Sequence, residues 1–120
     1  MQILAIFIGG GIGSLFRYLV SLKFGHFILW GLPWATILAN GAASLLLGFF
    51  TAIAIKDGFS AEWRGFLMIG LCGGFSTFST FGLETYTMLS GGEYISALSN
   101  IILSIIVSLI CILIGFRIGG

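Results

Sequence analysis

The sequence predicts an all-α membrane protein of four transmembrane helices, the third of them broken at a Gly-rich stretch. Three observations carry that expectation. Of 120 residues, 58% are hydrophobic and only 8% charged, and the mean hydropathy of +1.17 is that of a chain dissolved in lipid. Four apolar stretches, about 3–22, 34–55, 63–89 and 94–116, each supply the roughly 20 residues that cross about 30 Å of hydrocarbon at 1.5 Å per residue. Inside the third, Gly70-Leu71-Cys72-Gly73-Gly74-Phe75-Ser76-Thr77-Phe78-Ser79-Thr80-Phe81 makes a poor helix, because glycines weaken the ladder and hydroxyls compete for its backbone bonds.

The four spans form one domain, 1–120, joined by short connections. In the first span Gly9, Gly10, Gly11 and Gly13 precede Arg17, with neither a basic leader nor a cleavage site, so the segment is expected to stay as a span. Nineteen glycines against one proline suit helices that approach through small residues. The connection 23–33 carries the single histidine, His26, as an interfacial residue. The second span holds Asn40 near mid-membrane, where an amide without a partner is costly. Its successor is the longest, as a bent or broken helix would be, and ends in Ser90-Gly91-Gly92-Glu93. On the fourth, Asn100, Ser104 and Ser108 recur every four residues and share one helical face. Trp30, Trp34, Trp63, Tyr86 and Tyr94 fall near span ends, where aromatic rings favour the interface.

Irregular backbone is tolerated in hydrocarbon only where it is buried in protein or lines a polar cavity, so the break marks a permeation or ion site. Phe78 and Phe81, three apart, flank Ser79 and Thr80. Ring edges are partially positive, and together with amide and hydroxyl donors they offer an anion attraction without a full cation that would hold it. The carbonyls freed by the break, with Gly73 and Ser76 the foremost donors, could hold a small cation such as sodium between two symmetric chains.

Other classes are excluded. A net charge of +1 without a Lys/Arg patch excludes nucleic-acid binding. Asp57, Glu62, Glu84 and Glu93 form no acid, base and nucleophile set with His26, and no phosphate loop or metal-ligand cluster occurs, so the chain is not expected to be an enzyme. Cys72 and Cys111 match no metal or redox spacing and read as small buried hydrophobes. Lys56, Arg64 and Arg117 face one compartment while Arg17 and Lys23 lie toward the other. So even a division gives the positive-inside rule little to act on, which leaves two readings: insertion in both orientations, or, with Arg17 buried, one orientation set by a bias of three to one. Four short helices make a thin wall, which puts a pathway at the interface of at least a dimer.

The block Gly73-Gly74-Phe75-Ser76-Thr77-Phe78-Ser79-Thr80-Phe81, followed by Glu84, resembles the third helix of the Fluc (CrcB-type) fluoride channels. Gly9-Gly10 with Gly13, Arg17 and Tyr18 in the first span, and Thr36, Asn40, Ser44 and Gly48 in the second, extend the resemblance over essentially the whole chain. It implies an antiparallel, dual-topology homodimer with two fluoride pathways near the subunit interface and a structural Na+ on the twofold axis. Asn40 would then donate to fluoride, Phe78 and Phe81 would give ring-edge contacts, and Ser79 and Thr80 would form a hydroxyl track with Ser104 and Ser108. Gly73 and Ser76 would give backbone carbonyls to sodium, and Arg17 would shape a vestibule or tie helices together. The sequence departs from the family at Ser76, where threonine is usual, at Ser14, Ala35 and Ala43, and at Asn100, where some relatives carry an aromatic residue.

The function so implied is a passive channel in the inner (plasma) membrane of a prokaryote, surrounded by lipid, that lets cytoplasmic fluoride leave and relieves its toxicity. A small multidrug-resistance-type, proton-coupled exporter shares the length and the four spans. Such exporters use a carboxylate in the first helix, and the first span here has none.

Overall fold

Long apolar runs free of proline let every backbone group pair within its own helix, and three such runs are continuous in the computed structural model, which describes residues 1–120. They are α1 (Gln2–Phe24), α2 (Trp34–Lys56) and, last in the chain, α6 (Tyr94–Gly119). The third span, Ala61–Ser90, is segmented into α3 (Ala61–Arg64), a π-helical stretch (Gly65–Cys72), α4 (Gly73–Phe75) and α5 (Phe78–Ser90). All four spans are long and apolar enough to cross a membrane. Only 21 of 120 residues are buried, so the outward faces, among them Leu15, Leu19 and Leu22 on α1 and Ile102, Ile106 and Leu113 on α6, are surfaces for hydrocarbon rather than water.

The break falls inside the expected stretch, two residues past the last of its glycines. Gly70, Gly73 and Gly74 all sit in helical backbone. The chain leaves the helix at Ser76 (φ −77°, ψ 158°) and Thr77 (φ −149°, ψ 113°). Thr77 is β-branched, suited to extended backbone, and it restarts the helix as the N-cap of α5, its Oγ1 accepting from the Thr80 N–H at 3.1 Å. Thr77→Ala is expected to destabilise the protein by about 1 kcal/mol through loss of this cap, seen as a lower thermal midpoint in detergent, with Thr77→Ser close to wild type.

The glycines are needed for close approach instead. A Cβ on Gly70 would lie 2.7 Å from the Ile6 carbonyl and 2.9 Å from the Gly10 nitrogen, and one on Gly74 would run into the Gly10 carbonyl. From α1, Gly9 and Gly13 meet the backbones of Phe66 and Leu71. Gly65, Gly70 and Gly74 are spaced five and then four apart. In an α-helix a step of five turns the face by about 140° relative to its start, whereas i→i+5 bonding brings such residues into line. The π stretch thus lays Gly65 and Gly70 on the same side, against Gln2, Ile6 and Gly10. A second seam joins α2 to α6, with Gly48 against the Ile112 backbone and Gly115 against the Leu45 backbone.

The connection 23–33 is more ordered than a plain loop. β1 (Ile28–Leu29) and β2 (Leu32–Pro33) pair antiparallel across a turn at Trp30 and Gly31, whose φ angles are 58° and 71°. Both are positive, as a primed hairpin turn requires. The Trp34 Nε1–H closes the unit by donating to the Leu29 carbonyl at 2.9 Å.

Candidate functional site

The Ser76 N–H closes the last bond of the preceding helix, to the Cys72 carbonyl at 3.0 Å, but the backbone groups of the extended Thr77 need partners from elsewhere. Asn40, held on the buried side of α2, brackets Thr77. Its Oδ1 accepts from the Thr77 N–H at 2.6 Å, and its Nδ2 donates to the Thr77 carbonyl at 3.1 Å. A carboxamide carries one acceptor and two N–H donors in one plane, which is why asparagine can do both and still keep one N–H. From the sequence, Asn40 is an anion donor or a tie between helices, and the tie is present here. The need for a partner was visible in the chain, but the identity of a partner 37 residues away was not.

With Thr77 diverted to Asn40 and the Thr80 N–H diverted to Thr77 Oγ1, neither N–H returns to the carbonyl four residues earlier. Those carbonyls belong to Gly73 and Ser76. The Gly73 oxygen receives only the Ser76 hydroxyl, at 3.4 Å. Gly73 is exposed, and nothing lies within 4 Å of where its Cβ would be.

On one side of the break lies a cavity of about 330 Å³ whose walls include Asn40, Ser44, Ser76, Thr77, Phe78, Phe81, Ser104 and Ser108. The ring centroids of Phe78 and Phe81 are 5.6 Å apart with planes tilted by 43°. Phe78 is 83% exposed, so its ring forms an open edge of this wall. A second cavity of about 230 Å³ is lined by Ser14, Arg17, Tyr18, Ser21, Thr36, Thr77 and Thr80. Arg17 is its only charged side chain, and Thr77 belongs to both cavities. A third, wider space shares Ser21 and Thr36 with the second and reaches Glu84, whose Oε1 accepts from Thr36 Oγ1 at 2.6 Å.

The expected residues therefore divide. Asn40, Phe78, Phe81, Ser104 and Ser108 meet in the first cavity, whereas Thr80 lines the second with Arg17, and Ser79 lines neither. Ser104 and Ser108 thus stand apart from Thr80, while Phe78 and Phe81 at the start of α5 share the first cavity with them. Asn100 keeps its contact with Ser104 along that face, at 3.4 Å, but lines neither cavity. It is fully buried and donates to Thr85 Oγ1 at 3.0 Å.

The profile described as CrcB-like protein, Camphor Resistance (CrcB), matches residues 4–116. The chain belongs to the CrcB family. Among curated CrcB relatives, a protein named fluoride-specific ion channel FluC from Leptospira interrogans is 44% identical over 120 residues, covering 99% of this chain and 91% of its own length. Similarly named proteins from Nitrobacter winogradskyi (39% identical, 97% of this chain and 93% of that one) and Pyrococcus abyssi (41%, 94% and 91%) match along almost their whole lengths. Membership in the CrcB family agrees with a multi-pass membrane protein of four spans, and it sets aside the exporter alternative.

Proposed function

We propose that the chain is a passive, fluoride-selective channel of the cell membrane, letting fluoride leave the cytoplasm down its gradient. The observation that carries this reading is the clustering of partial positive charge around one helix break, with Asn40, two phenyl rings and serine hydroxyls in one cavity and Arg17 in the next. Fluoride is small and strongly hydrated, so a passage must replace its water with several donors at once, none of which binds it as tightly as a cation would. Arg17 raises the local anion concentration, Thr80 and Thr77 receive the ion, and the edges of Phe78 and Phe81 with Ser104 and Ser108 carry it through a dry segment.

The working unit is an antiparallel homodimer inserted with dual topology. The nearly even distribution of Lys and Arg supports the insertion, and the exposed Phe78 ring, with its cavity open on one side, supports the partner. Two such breaks facing across a twofold axis would bring together the carbonyls of Gly73 and Ser76 from both chains. Oxygen atoms without helical donors fit a hard monovalent cation, and Na+ bound there would neutralise them and brace the interface. The Ser76 ligand would be its main-chain oxygen, and its hydroxyl, which donates to the Gly73 oxygen at 3.4 Å, would share that oxygen with the ion or turn away.

A fluoride electrode reading efflux from proteoliposomes is the test. Wild type is expected to release fluoride without a proton gradient. Phe81→Ile, which keeps apolar volume but removes the ring edge, is expected to lower the rate at least tenfold with the oligomer intact. Unchanged release would remove the ring-edge role.

A further inference from the structure

The hairpin between α1 and α2 has the wrong composition for a loop in water. Phe27, Ile28, Leu29 and Trp30 follow one another at its tip, all of them exposed and Trp30 to 77%. A run of open apolar side chains marks a surface that something covers. The turn is also strained. Trp30 takes a φ of 58°, the left-handed region where a hairpin turn suits glycine, asparagine or aspartate and where a bulky side chain is an outlier. Such strain persists where contacts require that residue, yet the chain itself gives the ring few. Its edge meets Trp34, with centroids 6.4 Å apart. Trp34 commits its own Nε1–H to the Leu29 carbonyl at 2.9 Å, whereas the Trp30 Nε1–H meets no acceptor within the chain.

We propose that the hairpin tip, residues 27–30, dips into the headgroup layer of the membrane, with the Trp30 ring lying among the carbonyl and phosphate oxygens of phospholipids. The lengths of the flanking helices place it there. α1 and α2 each have 23 residues, about 35 Å at 1.5 Å per residue, so upright they outrun about 30 Å of hydrocarbon by only about 2–3 Å at each end. The headgroup layer beyond is about 5–8 Å deep, and a pair of two-residue strands joined directly to α2 stays within it. One side of the hairpin is seated on protein: Leu32 is buried, and a Cβ on Gly31 would lie 3.2 Å from Ser96 Oγ at the start of α6. The exposed residues continue along the chain into lipid-facing ones, Leu19 and Leu22 at the end of α1 and Ile95 and Leu98 at the start of α6. An indole suits this half-wet zone, having an apolar body and one N–H donor. Lys23, in the last turn of α1, extends its ammonium to phosphate while its stem lies on apolar surface. Phe27, Ile28 and Leu32 also line the third cavity, of about 570 Å³, so a tip held in lipid sets the rim of that cavity at the membrane surface. Membrane contact at the tip is independent of which ion the chain carries.

The test uses the full chain reconstituted in phosphatidylcholine vesicles, its tryptophan emission read beside that of Trp30→Asn, so that the difference between the two is the Trp30 signal. Asparagine tolerates the left-handed turn, and the ring is removed without added strain. Bromine quenches an indole only at close range, so phosphatidylcholines brominated high or low on their acyl chains report its depth. The Trp30 signal is expected to lose most of its intensity with bromine just under the headgroups, to lose little with bromine at the bilayer centre, and to resist acrylamide added to the water. Trp30→Phe serves where the asparagine variant does not elute as the native oligomer. A Trp30 signal quenched by acrylamide and untouched by either brominated lipid would put the tip in water. One quenched by neither agent would put it beneath protein, a second copy of this chain included. Either result overturns the proposal.

Discussion

Asn40→Asp is expected to abolish measurable fluoride efflux while the protein still elutes as a folded oligomer. The carboxylate keeps the acceptor that the Thr77 N–H uses at 2.6 Å, so half of the bracket around the break survives. It loses the donor to the Thr77 carbonyl and places a negative charge on the wall of the cavity. Two unit charges 4 Å apart repel by about 4 kcal/mol at an effective dielectric of about 20, which lowers anion entry by about a thousandfold. Asn40→Leu gives a different result. It brings no charge but leaves the Thr77 N–H and C=O both unpaired in a dry interior, at about 1–3 kcal/mol each. The expected outcome is loss of the oligomer on gel filtration, before transport can be read. A fluoride-electrode trace beside an elution profile separates the two variants. If Asn40→Asp passes fluoride at the wild-type rate, the cavity beside Asn40 is not the route.

The contrast shows what a linear chain could and could not reveal. Span number and the ring pair were legible because they depend on composition and on residues three apart, both local properties. Glycine in the third span pointed to a break, since helix propensity is also local, yet Gly70 and Gly74 are helical and serve the seam with α1. Tertiary close approach overrode propensity, and the residues that do break the helix are Ser76 and Thr77, stabilised by an amide from another span. A signal was available in the five-then-four spacing of Gly65, Gly70 and Gly74, which fits a π turn and not an α-helix. Asn100 could not have been read correctly from its face alone. Its stripe with Ser104 and Ser108 is real in helical geometry, but the partner that turns it inward, Thr85, lies on a different span.

The glycine seam yields the other large effect, and it separates packing from transport. Gly74→Val is expected to prevent assembly, or to lower the thermal midpoint in detergent by about 10 °C or more. The first added carbon would meet Gly10 backbone on the facing helix, within 3.1 Å of its Cα and carbonyl carbon and nearer still to the oxygen. Neither side has a flexible side chain that can move away, so α1 and α4 must separate. Separation removes the contacts that hold the helical half of the third span just before Ser76, and with them the position from which Gly73 and Ser76 present their carbonyls. Gly11→Ala is the matched control. It follows the seam residue Gly10 on α1 but faces open space, with nothing within 4 Å of its Cβ position, and replacing glycine by alanine inside a helix favours the helix by about 0.5–1 kcal/mol. Loss of stability at both positions alike would mean that glycine is required there for flexibility. Loss at Gly74 alone would mean that what the break requires is a rigid, closely fitted wall behind it.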